Sequence, residues 1–245
     1  MSLIYAISIC KNEEDIIVQS IEHLLANGID KVLIADHNST DNTYSLLKFL
    51  KEKYEQIDIF LNTDQYFHQD IWMNKLAEIA GNEGAEWIIP FDIDEFFFTR
   101  SSLSLSEQLQ SIPNGVKSFN VGMYRYHGTE MREVQMKPHP KVIFRWELGI
   151  NIAKGNHSVY TPTKSDPYDN FSIVIGELQY RSLEHFIRKI RTQYIHIDPS
   201  WGLGDYAHVR EIGEYNDKEL TQVWNEMKNR NLIYDPIPLR NMNGI

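Results

Sequence analysis

Apolar positions along the first ninety residues alternate between two rhythms. Leu3 to Cys10 is apolar and partly β-branched, the composition of a strand. After Lys11-Asn12-Glu13-Glu14, residues Ile16, Ile17, Ile21, Leu24 and Leu25 share one face of a helix that stops near Asn27-Gly28. Asn12 is placed to cap that helix, and Glu13, Glu14 and Asp15 favour its N-terminus electrostatically. Lys31 to Ala35 and Ile57 to Leu61 repeat the strand rhythm. Leu46, Leu47 and Leu50 mark a helix between them, and Trp72, Leu76, Ile79 and Ala80 the buried side of another from about Asp70 to Ala80. Gly81 to Ala85 then turns into a fourth apolar run, Trp87 to Phe91. This β-α-β-α-β-α-β order predicts a largely parallel sheet with helices on both faces.

The fourth run delivers three carboxylates almost at once, in Asp92-Ile93-Asp94-Glu95, before the chain turns apolar again at Phe96. Burying acids is costly unless a cation meets them. If the backbone stays extended, Asp92 and Asp94 project to one side and form a pincer for a divalent ion such as Mg²⁺ or Mn²⁺. Asp-x-Asp alone also fits a surface turn with solvated acids. Its place at the end of a strand, where open α/β sheets bind ligands, favours the site. Asp36 falls at the end of the second strand, where an acid can accept from a base N–H or a ribose hydroxyl. Ser39, Thr40 and Asp41 after it suit a turn.

The second half is less regular. It predicts a short helix over Leu105 to Ser111 and strands over Val116 to Met123, Lys141 to Trp146 and Ser172 to Leu178. A helix follows with Ser182 as its cap and Phe186, Ile187 and Ile190 on its apolar face. Arg125, His127, Arg132, Lys137, His139 and Lys141 make one intervening loop basic, either as a solvated segment or as an acceptor-binding surface. A loop at Trp201-Gly202-Leu203-Gly204, a helix from Asp217 to Asn229 and an extended tail at Tyr234 to Pro238 complete the chain.

Composition narrows the function classes. A length of 245 residues supports one large domain or two closely packed ones, and without repeats or linkers one unit is the simpler description. A net charge of -10 argues against a nucleic-acid surface. The one cysteine, Cys10, excludes an internal disulfide and a Cys-based zinc site, and its apolar setting predicts a buried, inert thiol. No run approaches the roughly 20 apolar residues of a membrane span, and no signal peptide opens the chain. The expectation is a cytoplasmic protein, with peripheral membrane contact left open.

Three segments in order carry a resemblance: Ser8-Ile9-Cys10-Lys11-Asn12-Glu13, Asp36-His37-Asn38-Ser39-Thr40-Asp41-Asn42-Thr43, and Trp87 through Phe97. Together they resemble the catalytic domain of glycosyltransferase family 2, near its family 2-like or family 92-like branch. The resemblance implies a GT-A fold: an α/β, Rossmann-like three-layer sandwich with a mostly parallel central sheet, as found in nucleotide-diphospho-sugar transferases. It implies a donor half over about 1–100 and an acceptor half over about 101–245. It further implies a UDP- or GDP-sugar donor, a glycan or other hydroxyl acceptor in surface-glycan synthesis, and Mn²⁺ or Mg²⁺.

Residue by residue, the resemblance places Ile9, Lys11, Asn12, Glu13, Asn38 and Ile93 at the nucleotide-sugar, Asp36 at the base, Asp92 at the ribose or metal, and Asp94 at the metal bridging the phosphates. His37 departs from the pattern, since many members carry a second acid there. The loop Lys154-Gly155-Asn156-His157 resembles one that completes the metal site, so His157 is a third ligand or a diphosphate contact, against the plainer reading of a structural histidine. Arg181 either supports the helix opening or reaches phosphate. Glu177 stands near the place of a histidine in relatives. An inverting transferase needs a base, and Asp169, Glu177 and Glu95 are the candidates; Glu95 fits equally as a supporting acid. A nucleotidyltransferase ranks second, lacking its usual Gly-rich phosphate loop here, and an inactive nucleotide- or sugar-binding module is the non-enzymatic rival.

Overall fold

A computed structural model describes residues 2–197, 202, 207–228 and 230–240. Four parallel strands form its first half: β1 (Leu3–Cys10), β2 (Lys31–Asp36), β3 (Ile57–Leu61) and β4 (Ala85–Pro90), in the spatial order β3-β2-β1-β4. Side-chain alternation explains the layers. Ile4 and Ala6 of β1, with Val32 and Ile34 of β2, pack under α1 (Ile17–Ala26) and α2 (Thr43–Lys53). Tyr5, Ile7 and Ile9, with Leu33 and Ala35, face α3 (Gln69–Asn82) on the other side. The expected helices on both faces are present.

The sheet continues with antiparallel strands. After β5 (Glu95–Thr99) and a short α4 (Leu105–Gln110), β6 (Ser118–His127) turns into β7 (Met131–Glu133). Next, β8 (Lys141–Arg145) lies between β4 and β6, antiparallel to both. The small β9 (Asn151–Ile152) and β10 (Val159–Tyr160) pair separately. Strand β11 (Ile173–Glu177) runs parallel to β6 and antiparallel to β5, in a register that sets Glu177 opposite Glu95. That pairing carries the chain back beside the Asp92–Asp94 segment. Helices α5 (Leu183–Ile195), α6 (Ala207–Ile212) and α7 (Asp217–Lys228) form a separate apolar cluster around Phe186, Ile190, Val209 and Leu220, and β12 (Leu232–Tyr234) adds to β7.

Local chemistry accounts for the element ends. Ser182 caps α5, its Oγ accepting from His185 N at 3.0 Å. Ser104 and Glu107 form a capping box on α4. Asn12 does not cap α1. It is held at φ +56 while its Oδ1 accepts from Thr40 N at 2.8 Å, so it ties two loops together, and α1 begins only at Ile17. Cys10 is buried, and burial pushes its thiol well up, as an inert core thiol requires. Apart from Gly202, the expected loop at 201–204 lies outside the described residues, as does Asn229 at the expected end of α7. No helix among the described residues is long and apolar enough to cross a membrane.

Candidate active site

Strands β1 and β4 end side by side, and beyond their carboxyl ends opens a cavity of about 1150 Å³. Ile9, Lys11, Asn12 and Glu13 line it from β1, and Asp92, Ile93 and Asp94 from β4. Lys137, Lys141, His157 and Glu177 come from the antiparallel half, and Lys189 from α5. A position outside the carboxyl ends of parallel strands is where open α/β sheets collect ligands.

The backbone after β4 does not stay extended. Glu95 N donates to Asp92 O at 2.9 Å, and Glu95 Oε2 accepts from Asp92 N at 3.0 Å, which closes a tight turn. The turn sends the two acids of the expected pincer to different cations. Asp92 Oδ2 lies 2.7 Å from Lys141 Nζ, and its Oδ1 accepts from Gln69 Nε2 at 2.8 Å. Asp94 Oδ2 lies 2.5 Å from Lys189 Nζ, which also reaches Glu13 Oε1 at 3.3 Å.

Charge pairing under burial sets the protonation states. Burial alone would raise Asp94, but Lys189 and Arg181, with Lys141 behind them, outweigh it and hold the carboxyl well below the usual range. Burial would also discharge Lys141 and Lys189. Asp92 keeps the first charged, and Asp94 and Glu13 the second, both well above the ordinary lysine value. Glu95 goes the other way. Burial, together with repulsion from Asp92 and Asp94, lifts it to about 8 despite the opposing pull of Lys141. Its Oε1 lies 3.0 Å from Lys141 Nζ without a directed hydrogen bond.

Arg181 is committed elsewhere. Its Nη2 donates to Glu13 Oε2 at 2.6 Å and Asp15 Oδ1 at 2.7 Å and contacts His185 Nε2 at 2.7 Å. Its Nε donates to Asp15 Oδ2 at 2.6 Å and its Nη1 to Leu178 O at 3.2 Å. With all three nitrogens of the fork engaged and no place in the cavity wall, it clamps α5 to the start of α1. Glu13, Asp15 and His185 are, among the described residues, the one group of three ligand-type side chains whose ligand atoms lie within 4.8 Å of one another. The guanidinium bonded to all three already supplies their positive charge.

Asp36 and Asn38 also stand outside the cavity lining. Asp36 is buried, with Oδ2 accepting from Ser39 N at 3.0 Å and Oδ1 beside the Cys10 thiol, so its carboxylate holds the loop after β2. Asn38 is exposed at φ +48, and its carbonyl accepts from Lys11 Nζ at 3.3 Å. Of the three candidate bases, Asp169 is exposed in the loop before β11 and Glu95 lies behind the cavity wall. Glu177 alone lines the cavity. Lys137 Nζ holds both its oxygens, at 2.7 and 2.8 Å.

The expected metal ligands Asp92, Asp94 and His157 do not bring their ligand atoms within 4.8 Å of one another. The donor chemistry nevertheless suits a divalent ion. Asp94 is held ionised, with an ammonium group standing where a cation would sit. Burial keeps His157 below the ordinary histidine value, hence neutral, and its Nδ1 donates to Pro140 O at 2.8 Å, which leaves the Nε2 lone pair as the ligating position. Gly155, at φ +79, leaves that ring its room, since a Cβ there would lie 2.6 Å from His157 Cδ2. Sequence reasoning passed over Gln69, Asn156 and Lys189 as site residues, and named Lys141 only as part of a basic loop that could bind acceptor. A lysine opening the apolar run Val142–Phe144, and another one position from Ile190 on a buried helix, were the available signals.

A comparison with curated proteins finds no match. Among solved structures, the mannosyltransferase PcManGT from Pyrobaculum calidifontis, in complex with GDP-Man and Mn²⁺, is 14% identical at a TM-score of 0.49, over 91% of this chain and 73% of that one. TarS of S. aureus is 14% identical at a TM-score of 0.43, over 93% of this chain and 43% of that one. The 4-diphosphocytidyl-2C-methyl-D-erythritol synthase of Anaerococcus prevotii is 12% identical at 0.35, over 91% of this chain and 84% of that one. The family model "Glycosyl transferase family 2" matches residues 5–175, from the middle of β1 into β11. The chain therefore belongs to glycosyl transferase family 2 and carries the α/β GT-A fold of that family.

Proposed function

We propose that the chain transfers a sugar from a nucleotide-diphosphate sugar to an acceptor hydroxyl, with inversion at the anomeric carbon. One observation carries this reading: the cavity at the carboxyl ends of β1 and β4 gathers buried acids and charged lysines around Asp92 and Asp94. The donor lies between β1 and the Asp92–Asp94 turn, which we take as the donor half over about 1–100. The acceptor enters from the side of α5, α6 and α7, where Thr192, Tyr215 and Glu226 line the cavity. A UDP- or GDP-sugar donor, a glycan acceptor at the cell surface, a place near the family 92-like branch and a cytoplasmic location complete the proposal.

In the reaction the acceptor oxygen forms a bond to the anomeric carbon as the bond from that carbon to the diphosphate breaks. Glu177 takes the acceptor proton, once Lys137 yields one of its oxygens. Negative charge grows on the departing diphosphate, and Lys189 and Lys141 sit in the cavity wall with their charge secured by burial among acids. Asp94, with Asp92 and His157, would hold Mn²⁺ or Mg²⁺, which would act as a Lewis acid on the leaving group. The test is turnover: release of UDP or GDP from a panel of nucleotide sugars with candidate glycan acceptors, for the full chain and for Glu177→Gln. Acceptor-dependent release by the wild type, lost in the variant, supports the reading. Release of pyrophosphate from nucleoside triphosphates instead would favour a nucleotidyltransferase.

A further inference from the structure

We propose that Lys189 is an exchangeable counter-cation, which neutralises Asp94 while no ion is bound and moves onto the donor diphosphate when a divalent ion takes its place. The inference rests on the nucleotide-sugar reading of the cavity. A divalent ion on the oxygen that Lys189 now approaches to 2.5 Å would set two positive charges directly against its ammonium. The repulsion is relieved by the ammonium giving way, because the backbone of Asp94 is held: its carbonyl accepts from Leu178 N at 2.7 Å, one residue beyond the pairing of β5 with β11.

The lysine is built to move. Its helix is anchored by the Ser182 cap, the Arg181 clamp and the buried Phe186 and Ile190, while its charge rides on a flexible four-carbon stem whose end faces the cavity. Lys141 makes the contrast. It is fixed on three sides, by Asp92 at 2.7 Å, Glu95 at 3.0 Å and Gly155 O at 2.9 Å, and is 3% exposed.

Charge balance then couples the two ligands. Buried Asp94 and Glu13, with the half-exposed Asp15, are met by Lys189 and Arg181. A divalent ion alone would overcharge the site and leave Lys189, in the low-dielectric wall, with Glu13 at 3.3 Å as its remaining acid. A divalent ion with a diphosphate restores the balance, since the displaced ammonium finds phosphate oxygens. Metal and nucleotide should therefore bind with strong mutual coupling.

The test measures Mn²⁺ binding to the full chain by the loss of its free-ion paramagnetic resonance signal, alone and with UDP or GDP. The wild type should bind Mn²⁺ weakly alone and about tenfold or more tighter with one nucleotide, within the usual range of coupling. Lys189→Met should bind Mn²⁺ alone about tenfold tighter than the wild type and show less gain from nucleotide. Equal Mn²⁺ affinity in the two proteins without nucleotide would overturn the exchange. Asp94→Asn provides a second reading that does not depend on the folding of the first variant. Freed of its acid, Lys189 should let this variant bind UDP or GDP without metal at least as tightly as the wild type, and loss of that binding would also overturn the proposal. If neither nucleotide binds the wild type under any condition, the nucleotide-sugar reading fails and the exchange with it. If one binds while Lys189→Met leaves the Mn²⁺ affinity unchanged, only the exchange fails.

Discussion

Replacing Arg181 with methionine separates a structural clamp from a phosphate contact. The variant keeps much of the stem and deletes the donors now given to Glu13, Asp15, His185 and Leu178 O. Breaking a buried ion pair by removing one partner costs about 3–5 kcal/mol. Two features pull the estimate to the low end: the Asp15 side chain is 36% exposed, so its share is screened, and Glu13 keeps Lys189 at 3.3 Å. A loss of about 3 kcal/mol lowers the Tm of a chain this size by about 6–12 °C. The deficit should shrink at lower pH. Burial already raises Glu13, against the pull of Lys189 and Arg181, and without Arg181 it rises further. A group with a raised folded pKa gains relative stability as pH falls, so the variant recovers part of its loss between pH 8 and pH 5. Thermal and urea unfolding at both pH values, beside nucleotide titrations, make the assay. A Tm within 2 °C of the wild type, together with a nucleotide affinity weakened about tenfold, would refute the clamp and restore Arg181 to the phosphate.

Glu177→Gln should lower kcat by about 10²–10⁴-fold with little change in nucleotide affinity, since it removes a base and leaves the donor contacts; an unaltered kcat in stopped turnover assays would exclude it as the base. Gly155→Ala forces a Cβ into the His157 ring at a left-handed backbone position, and should cost about 1–2 kcal/mol by denaturant unfolding. Full stability there would mean that the loop is free to relax. Glu95, with a folded value of about 8, keeps its proton in the fold and loses it on unfolding, so its contribution is present below the ordinary carboxyl value and falls as pH rises toward 8. Glu95→Gln should therefore gain on the wild type between pH 5 and pH 8, by at most about 1.4 kcal/mol per pH unit, and a pH-independent difference in unfolding free energy would contradict the buried proton.

The first half was legible because its strands are mostly apolar, partly β-branched runs and its helices keep a clear 3.6-residue face. The expected strand over Ile57 to Leu61 coincides with β3, and α3 extends the expected helix by only a turn. The carboxylates at 92 and 94 were legible as a cluster, yet their directions were not. Whether the segment stays extended or closes a turn depends on Glu95 reaching back to Asp92 N, and spacing does not reveal that hydrogen bond. The cations were harder still. Arg181 and Lys189 lie on one short stretch, and which of them meets Asp94, far earlier in the chain, is decided by how α5 packs. Asp169 and Glu177 looked equivalent along the chain. The pairing of β11 with β5 and β6 brings only Glu177 to the cavity.

The central claim is that the cavity is a nucleotide-sugar site, and ligand-induced stabilisation tests it most directly. UDP, GDP, CDP and their common sugars would each be screened by thermal shift with Mn²⁺, Mg²⁺ or EDTA, because a ligand that binds only the folded state raises its stability. The account predicts that one nucleoside diphosphate raises the Tm and that EDTA diminishes the shift. No shift with any nucleotide, in any metal condition, would contradict it.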